Sequence, residues 1–283
     1  MARTPLRVFP SPAALGEAVA EDVLARIDQA RLTKSRFLLG SPTGRTPKPI
    51  FAAMARRLAH GKQDLSHLVL VMMDEYLVPG GAALTYAPSE RPWSCQYFAR
   101  VEIAERLNAA LPPAHRVRED AIWFPDPADP EAYDTRIAKA GGIDLFLLAS
   151  GASDGHVGFN PPGSPRDSRT RIIPLADETR RDNLQTFPAF GTLAAVPEHG
   201  VSVGIDTIAS AREAIMVVWG AGKRLTLERM RRAERYDPGW PATVIHECPV
   251  RQILADKEAL GEAQENGEEE TVAEIRAAGG TVD

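Results

Sequence analysis

Apolar residues in this chain fall into short continuous runs, separated by longer stretches in which they recur every three or four positions. Leu6–Phe9, Arg36–Leu39, His67–Met73, Ile143–Ala149, Gly200–Gly204, Glu213–Trp219 and Arg251–Ala255 read as strands. Most are too uniformly apolar to keep one face in water. Between them, Ser11 can cap a helix running to about Ala30, with Ala14, Leu15, Val19, Val23, Leu24 and Ile27 on one face. Thr46 is an expected N-cap with Pro47 at the first helical position, opening a helix to about Leu58. Trp93–Leu107 and Gly222–Ala233 also carry helical spacing. Residues 110–135 are proline-rich and read as irregular, apart from an extended piece near Ile122–Phe124; the polar stretch 80–92 reads as a long loop and a candidate lid. Buried strands alternating with helices predict an α/β fold, an open, mostly parallel sheet with helices on both faces. With no internal repeat and no linker, residues 1–256 are expected to form one domain.

Three strands end in loops that should meet at the carboxyl edge of such a sheet, where open α/β folds hold ligands. The first is Gly40–Pro47, whose glycines and hydroxyls precede a helix N-terminus suited to an anion such as a phosphate. Taken alone, the stretch reads more simply as a tight turn with a capping threonine, and the Gly-Lys-Ser/Thr ending of a Walker loop is absent. The second is Met73-Asp74-Glu75-Tyr76; of two adjacent acids after a buried strand, one should serve the site and the other face solvent. The third, Asp154–Pro162, follows the run Asp144–Ser150 and holds Asp154-Gly155-His156, with glycines at 151, 155 and 158 that let backbone approach a ligand. Histidine titrates near neutrality, and a nearby carboxylate can fix its tautomer and raise its basicity.

Composition narrows the class. The chain has 283 residues, 44% of them apolar and 25% charged, with a net charge of −5. Residues 257–283 hold eight acids against two bases, a net −6, which leaves the rest at +1. The body therefore lacks the basic excess of a nucleic-acid binder. The tail reads as a solvated, partly helical acidic terminus. Cys95 and Cys248 are far apart with no metal-type spacing, so free thiols in a reducing compartment are expected. The N-terminal stretch lacks the apolar core of a signal peptide, and no apolar run approaches a membrane span. A soluble, cytoplasmic protein without membrane partners is the expectation.

In order and spacing, LLGSPTGRTP, VMMDEYLVP, IDLFLLASGASDGHVGFNPPGS, SRTRIIPLADETRRDN and VPEHGVSVGIDTIASAREAIMVVWGAGK resemble the glucosamine-6-phosphate deaminase/isomerase family. The related 6-phosphogluconolactonases share the strand–Gly–Asp-Gly-His theme. The resemblance covers about residues 6–256 and implies a Rossmann-like fold and a small-molecule sugar phosphate as ligand. It implies no cofactor and no metal. It leaves a homo-oligomer open, since family members range from monomers to hexamers.

By that resemblance, Asp74 would move a proton between C2 and C1 of an open-chain sugar. His156 would assist ring opening, and Asp154 would orient it. Ser41, Gly44, Arg45, Thr46 and Lys223 would grip the sugar phosphate, with Glu75, Gly155 and Asn160 as further substrate-binding candidates. An aldose–ketose shift needs a base beside C2 and an acid–base group at the ring oxygen, which these residue types supply. Two positions depart from the family. Pro161 follows Phe159-Asn160 where the deaminases carry a glutamate that partners the histidine, and proline has neither charge nor exchangeable proton. Gln185 stands where the family has a phosphate-binding arginine, while Arg45 stands where a small residue is commoner, so either the anion grip has moved from 185 to 45 with Lys223 retained, or the substrate is not the usual hexosamine phosphate.

Three functions fit: a sugar-phosphate isomerase with or without ammonia release, a phosphosugar lactonase in which His156 activates water, and a non-catalytic sugar-phosphate sensor. Asp74-Glu75-Tyr76 and Phe159-Asn160 resemble the deaminase branch more closely, and no helix-turn-helix region precedes the domain.

Overall fold

A computed structural model describes residues 3–33 and 36–261, and in it seven apolar runs pair into a parallel sheet. These strands are β1 (Leu6–Phe9), β2 (Phe37–Ser41), β3 (Leu68–Met72), β6 (Ile122–Trp123), β7 (Leu145–Leu148), β10 (Glu213–Val218) and β11 (Val250–Asp256). Their order is β1-β11-β10-β7-β2-β3-β6, with every pairing parallel.

Because side chains alternate along a strand, each strand feeds two cores. Leu39, Leu70, Met72, Leu145, Leu147, Ile215, Val217 and Leu254 point to one face. There they meet α1 (Pro12–Thr33), α2 (Lys48–Leu58) and a continuous helical stretch made of α3 (Cys95–Tyr97), a wider π-type segment (Phe98–Glu105) and α4 (Arg106–Asn108). Leu38, Val69, Val71, Phe146, Leu148, Met216, Val218 and Ile253 point to the other. They are covered by α5 (Glu131–Lys139), α7 (Ile205–Ala209) and α8 (Arg224–Arg232). Each fully buried aliphatic side chain contributes about 1.5–3 kcal/mol relative to an exposed one, so both helical layers are held by many such contacts.

A second, antiparallel sheet stands beside the first: β4 (Asp74–Gly80), β5 (Ala83–Tyr86), β8 (Arg171–Pro174) and β9 (His199–Ser202), in the order β5-β4-β9-β8. Met73 is the pivot between the sheets. Its N–H donates to the Ser41 carbonyl on β2 at 3.2 Å, and its carbonyl accepts the Val203 N–H at 2.9 Å. The chain leaves one sheet and enters the other within a single residue.

Several local expectations are corrected. Asp74-Glu75-Tyr76 is not a loop but the start of β4, and residues 80–92 contain β5 and its hairpin with β4 rather than a featureless lid. Thr46 does not cap α2; Pro47 holds the N-cap position with no side-chain cap, while Ser11 does accept the Ala14 N–H at 3.2 Å. Residues 110–135 run into α5, whose apolar Tyr133 and Ile137 reach the core. The polar segment DETRRDNLQT forms α6 (Asp177–Thr186), with Thr179 as its one buried residue, so no apolar period announced it. α9 (Lys257–Leu260) starts the acidic terminus, capped by the Asp256 side chain on the Ala259 N–H. The remainder of the tail, from 262 on, lies outside the described residues.

Candidate active site

Five segments converge at the carboxyl edge of the parallel sheet around a cavity of about 390 Å³. They are the loop after β2, the start of β4, the loop after β7, one face of α6, and the loop between β10 and α8. Of the residues singled out from sequence, the cavity wall includes Gly44, Arg45, Thr46, Asp74, His156 and Lys223.

Asp74 and Glu75 part ways here, against the expectation that one would face solvent. Asp74 is 5% exposed and opens onto the cavity; Glu75 is 0% exposed and turns into the protein. The Glu75 carboxylate accepts the Ser94 hydroxyl at 2.8 Å and the backbone N–H groups of Tyr76, Cys95 and Gln96 at 2.8, 3.0 and 2.8 Å. It thus ties β4 to the first turn of α3, where orphan N–H groups need acceptors. Burial pushes its carboxyl above the usual range despite these donors.

Asp74 has a sparser set of partners. The Cys95 thiol, itself driven to higher pKa by burial and so kept as a donor, lies 3.4 Å from Asp74 Oδ1. Burial raises the Asp74 carboxyl to about 7; the neighbouring Glu75 adds to this, while the Cys95 hydrogen bond and the nearby His156 oppose it. Such a carboxylate exchanges protons near neutrality.

The loop after β7 shapes the histidine. Asp154 Oδ1 lies 2.7 Å from His156 Nδ1 and accepts the His156 backbone N–H at 3.1 Å. Thr179 on α6 donates to Asp154 Oδ2 at 3.3 Å. Burial alone would raise Asp154, but the His156 hydrogen bond and charge, with the Thr179 hydroxyl, hold it below its ordinary value. An ionised Asp154 places the proton on Nδ1, so Nε2 carries the lone pair. Two glycines make this geometry. At Gly155 (φ +69°) a Cβ would lie 2.4 Å from the Trp240 ring, and at Gly158 (φ +57°) it would lie 2.8 Å from Ser202 Oγ and 3.3 Å from Asp74 Oδ2.

On the loop between β10 and α8, the Lys223 ammonium donates to the Ser150 carbonyl. Burial lowers Lys223 to about 8, Arg45 pushes the same way, and Asp182 and Asp154 offset part of it. Arg45 is exposed at the rim. Two cations and an acid–base pair on one cavity suit a small anion-bearing substrate that undergoes proton transfer.

The other sequence candidates are held outside this wall. The Ser41 hydroxyl donates to the Pro42 carbonyl at 2.9 Å, fully buried. Gly155 packs on Trp240. Asn160 is buried, with its amide donating to the Val157 and Val203 carbonyls at 2.9 and 2.8 Å and its oxygen accepting from Arg171 at 2.9 Å. Its work is to lock the loop. Conversely, Tyr76, Asp182, Phe187 and Trp219 line the cavity without being among the candidates the sequence offers. Trp219 donates its indole N–H to the Thr46 carbonyl at 3.1 Å and so joins the loops after β2 and β10. The signal for Asp182 was its place inside the SRTRIIPLADETRRDN segment. Asp154, His156 and Asp182 also bring one ligand-type atom each within 4.8 Å of one another. Among the described residues, no helix is long and apolar enough to cross a membrane.

Known proteins resemble this chain along most of its length. A family model described as glucosamine-6-phosphate isomerases/6-phosphogluconolactonase matches residues 10–254. A protein of Streptomyces avermitilis named glucosamine-6-phosphate deaminase is 36% identical over 222 residues, which is 76% of either chain. Among solved structures, one described as a monomeric glucosamine-6-phosphate deaminase superposes with a TM-score of 0.76 at 23% identity, covering 92% of this chain and 100% of that one. The 6-phosphogluconolactonase of Trypanosoma cruzi gives 0.66 at 19% identity, covering 92% of this chain and 97% of that one. At those identities the structural likeness establishes the fold.

Proposed function

The chain belongs to the family of glucosamine-6-phosphate isomerases and 6-phosphogluconolactonases, and we propose that it acts as an isomerase/deaminase on a hexosamine 6-phosphate or a similar sugar phosphate. The observation that carries this is Asp74: a buried carboxylate raised to about 7 that opens onto the same cavity as His156 and Lys223. A lactonase has no need of a second carboxylate tuned in this way, whereas a proton shuttle between two carbons does.

In this reading the sugar phosphate seats its anion against Lys223 and Arg45. His156 Nε2, held by Asp154 on Nδ1, exchanges the proton of the ring oxygen as the ring opens. Asp74 takes the proton from C2, the C–H electron pair forms the C1–C2 double bond, and the C1=O π pair moves onto O1. The same proton is then returned to C1 as the lone pair on the C2 heteroatom forms its double bond to C2, and that heteroatom's proton passes to O1. With an amine on C2 the product is a ketimine, whose hydrolysis releases ammonia and leaves the ketose phosphate. The amino sugar as substrate is suggested by the names of the curated relatives.

A second reading rests on position 161. The proline there offers the site no carboxylate, its carbonyl accepting instead from the Ser164 hydroxyl at 2.8 Å, so the hydrogen-bonded carboxylate on His156 is that of Asp154. That pair alone could activate water against a phosphosugar lactone. A parallel assay of amino-sugar phosphates, ketose phosphates and phosphosugar lactones separates the two: ammonia or ketose supports the first, acid release alone the second. Failure on all of them would overturn both.

A further inference from the structure

Asp182 projects from α6 onto the cavity wall, with Asn183 and Gln185 beside it. Its Oδ2 accepts the Ala152 backbone N–H at 3.1 Å and the Ser153 hydroxyl at 3.2 Å. Its Oδ1 makes no hydrogen bond among the described residues. The carboxylate lies within 4.8 Å of the ligand-type atoms of Asp154 and His156, and its charge raises the Lys223 ammonium against the effect of burial. It therefore stands beside the group expected to handle the ring oxygen and within electrostatic reach of the amine expected to hold the phosphate. A negative charge there weakens an anion site, so its presence calls for a positive reason.

The sugar-phosphate reading above supplies one. With the ring oxygen at His156 and the phosphate at Lys223, both are borne on or next to C5. The hydroxyl nearest that edge of the sugar is the one on C4. Resting on that reading, we propose that Asp182 is a specificity-determining residue whose Oδ1 accepts a hydrogen bond from the C4 hydroxyl and so selects its configuration. A hydroxyl donor satisfies the carboxylate without competing for Lys223. Oδ2 stays with Ala152 and Ser153, which fixes the direction of the free oxygen.

The test is a binding comparison by calorimetry on the full chain, using glucosamine 6-phosphate, its 4-deoxy analogue, its C4 epimer and inorganic phosphate. The wild-type protein is expected to prefer the parent sugar over the 4-deoxy and epimeric forms by about ten- to a hundredfold, the range of a charge-assisted hydrogen bond. Asp182→Ala should bring the three sugars to within about threefold of one another, while phosphate binds at least as well as before. Asp182→Asn can keep its amide oxygen on Ala152 and Ser153, which preserves the loop; its NH2 can give the C4 oxygen only a neutral hydrogen bond, so the preference should shrink to a few-fold while phosphate binds more tightly. The wild-type preference surviving in both variants overturns the proposal. So does a parallel loss for all four ligands, phosphate included, because that is what collapse of the 151–153 loop would produce. Binding without turnover would sink the catalytic reading yet leave these ratios to decide the role of Asp182. A wild-type protein that binds none of the sugars would overturn both.

Discussion

Asp74 and Glu75 are neighbours on β4, both buried, and their carboxylates do opposite things. Glu75 gathers the Ser94 hydroxyl and three backbone N–H groups into a fixed joint. Asp74 is left with one soft donor, the Cys95 thiol at 3.4 Å, and an open side onto the cavity. Alternation along a strand sends consecutive side chains to opposite faces, so a single dipeptide supplies both a structural anchor and a reactive group.

If Asp74 carries the C2 proton, Asp74→Asn should lower its exchange with deuterated solvent by about 10²–10⁴-fold. Exchange is read on the sugar by NMR in deuterium oxide, apart from any later step. Unchanged exchange would remove Asp74 from the mechanism.

Activity should be bell-shaped in pH. Asp74 must be ionised to accept a proton, and its carboxyl is raised to about 7; Lys223 must be protonated to hold phosphate, and its amine is lowered to about 8. The acid limb of kcat/KM is expected near the first value and the alkaline limb near the second. In Lys223→Met the alkaline limb should disappear along with most of the phosphate affinity.

The same tuning has a cost in stability. The folded protein holds the Asp74 proton up to about pH 7, whereas the unfolded chain releases it near 3.8. Between those values the folded state binds more protons, so this contribution falls as pH rises through the window. By pH 8 the loss approaches about 4 kcal/mol. Asp74→Asn should therefore melt above the wild type at pH 8, with the gap closing towards pH 4.

Glu75→Gln should act in the opposite direction. The amide sets an NH2 group against the donors that Glu75 now satisfies. A cost of about 2–3 kcal/mol follows, or a fall in Tm of roughly 5–10 °C. Any drop in kcat should be secondary, through movement of β4. A Gln variant as stable as wild type would mean that the joint is dispensable.

Arg45 sits exposed at the rim, where solvent screens it. Arg45→Ala is expected to weaken a phosphorylated ligand by about tenfold, less than the loss in Lys223→Met. Measured Kd values for inorganic phosphate suffice. Equal affinity with and without Arg45 would place that side chain outside the anion grip.

The parallel sheet was legible because its strands are continuous apolar runs, and the loop carrying Asp154 and His156 was legible because acid, glycine and histidine sit together in sequence. What was not legible depends on contacts between distant segments. Which face Glu75 and Asn160 take is decided by α3, Val203 and Arg171, none of them local. The antiparallel sheet arises from pairing Glu75 with Val201 and Ile172 with Val201, partners that no short window contains. α6 is polar on nearly every side and is recognisable only by what it covers. Asp182 went unnoticed for that reason, since a solvated helix face carries many acids.

The five segments that wall the cavity run from Pro42 to Lys223, so no fragment of the chain contains its own binding site. Its ligand can act only on the completed fold, and every part of the molecule that holds those segments together is linked to occupancy. A ligand at a hundred times its Kd would add about 2.7 kcal/mol to global stability, which makes thermal shift a direct way to search for the natural substrate among sugar phosphates. In a cell the supply of that substrate would then help to set how long the protein survives.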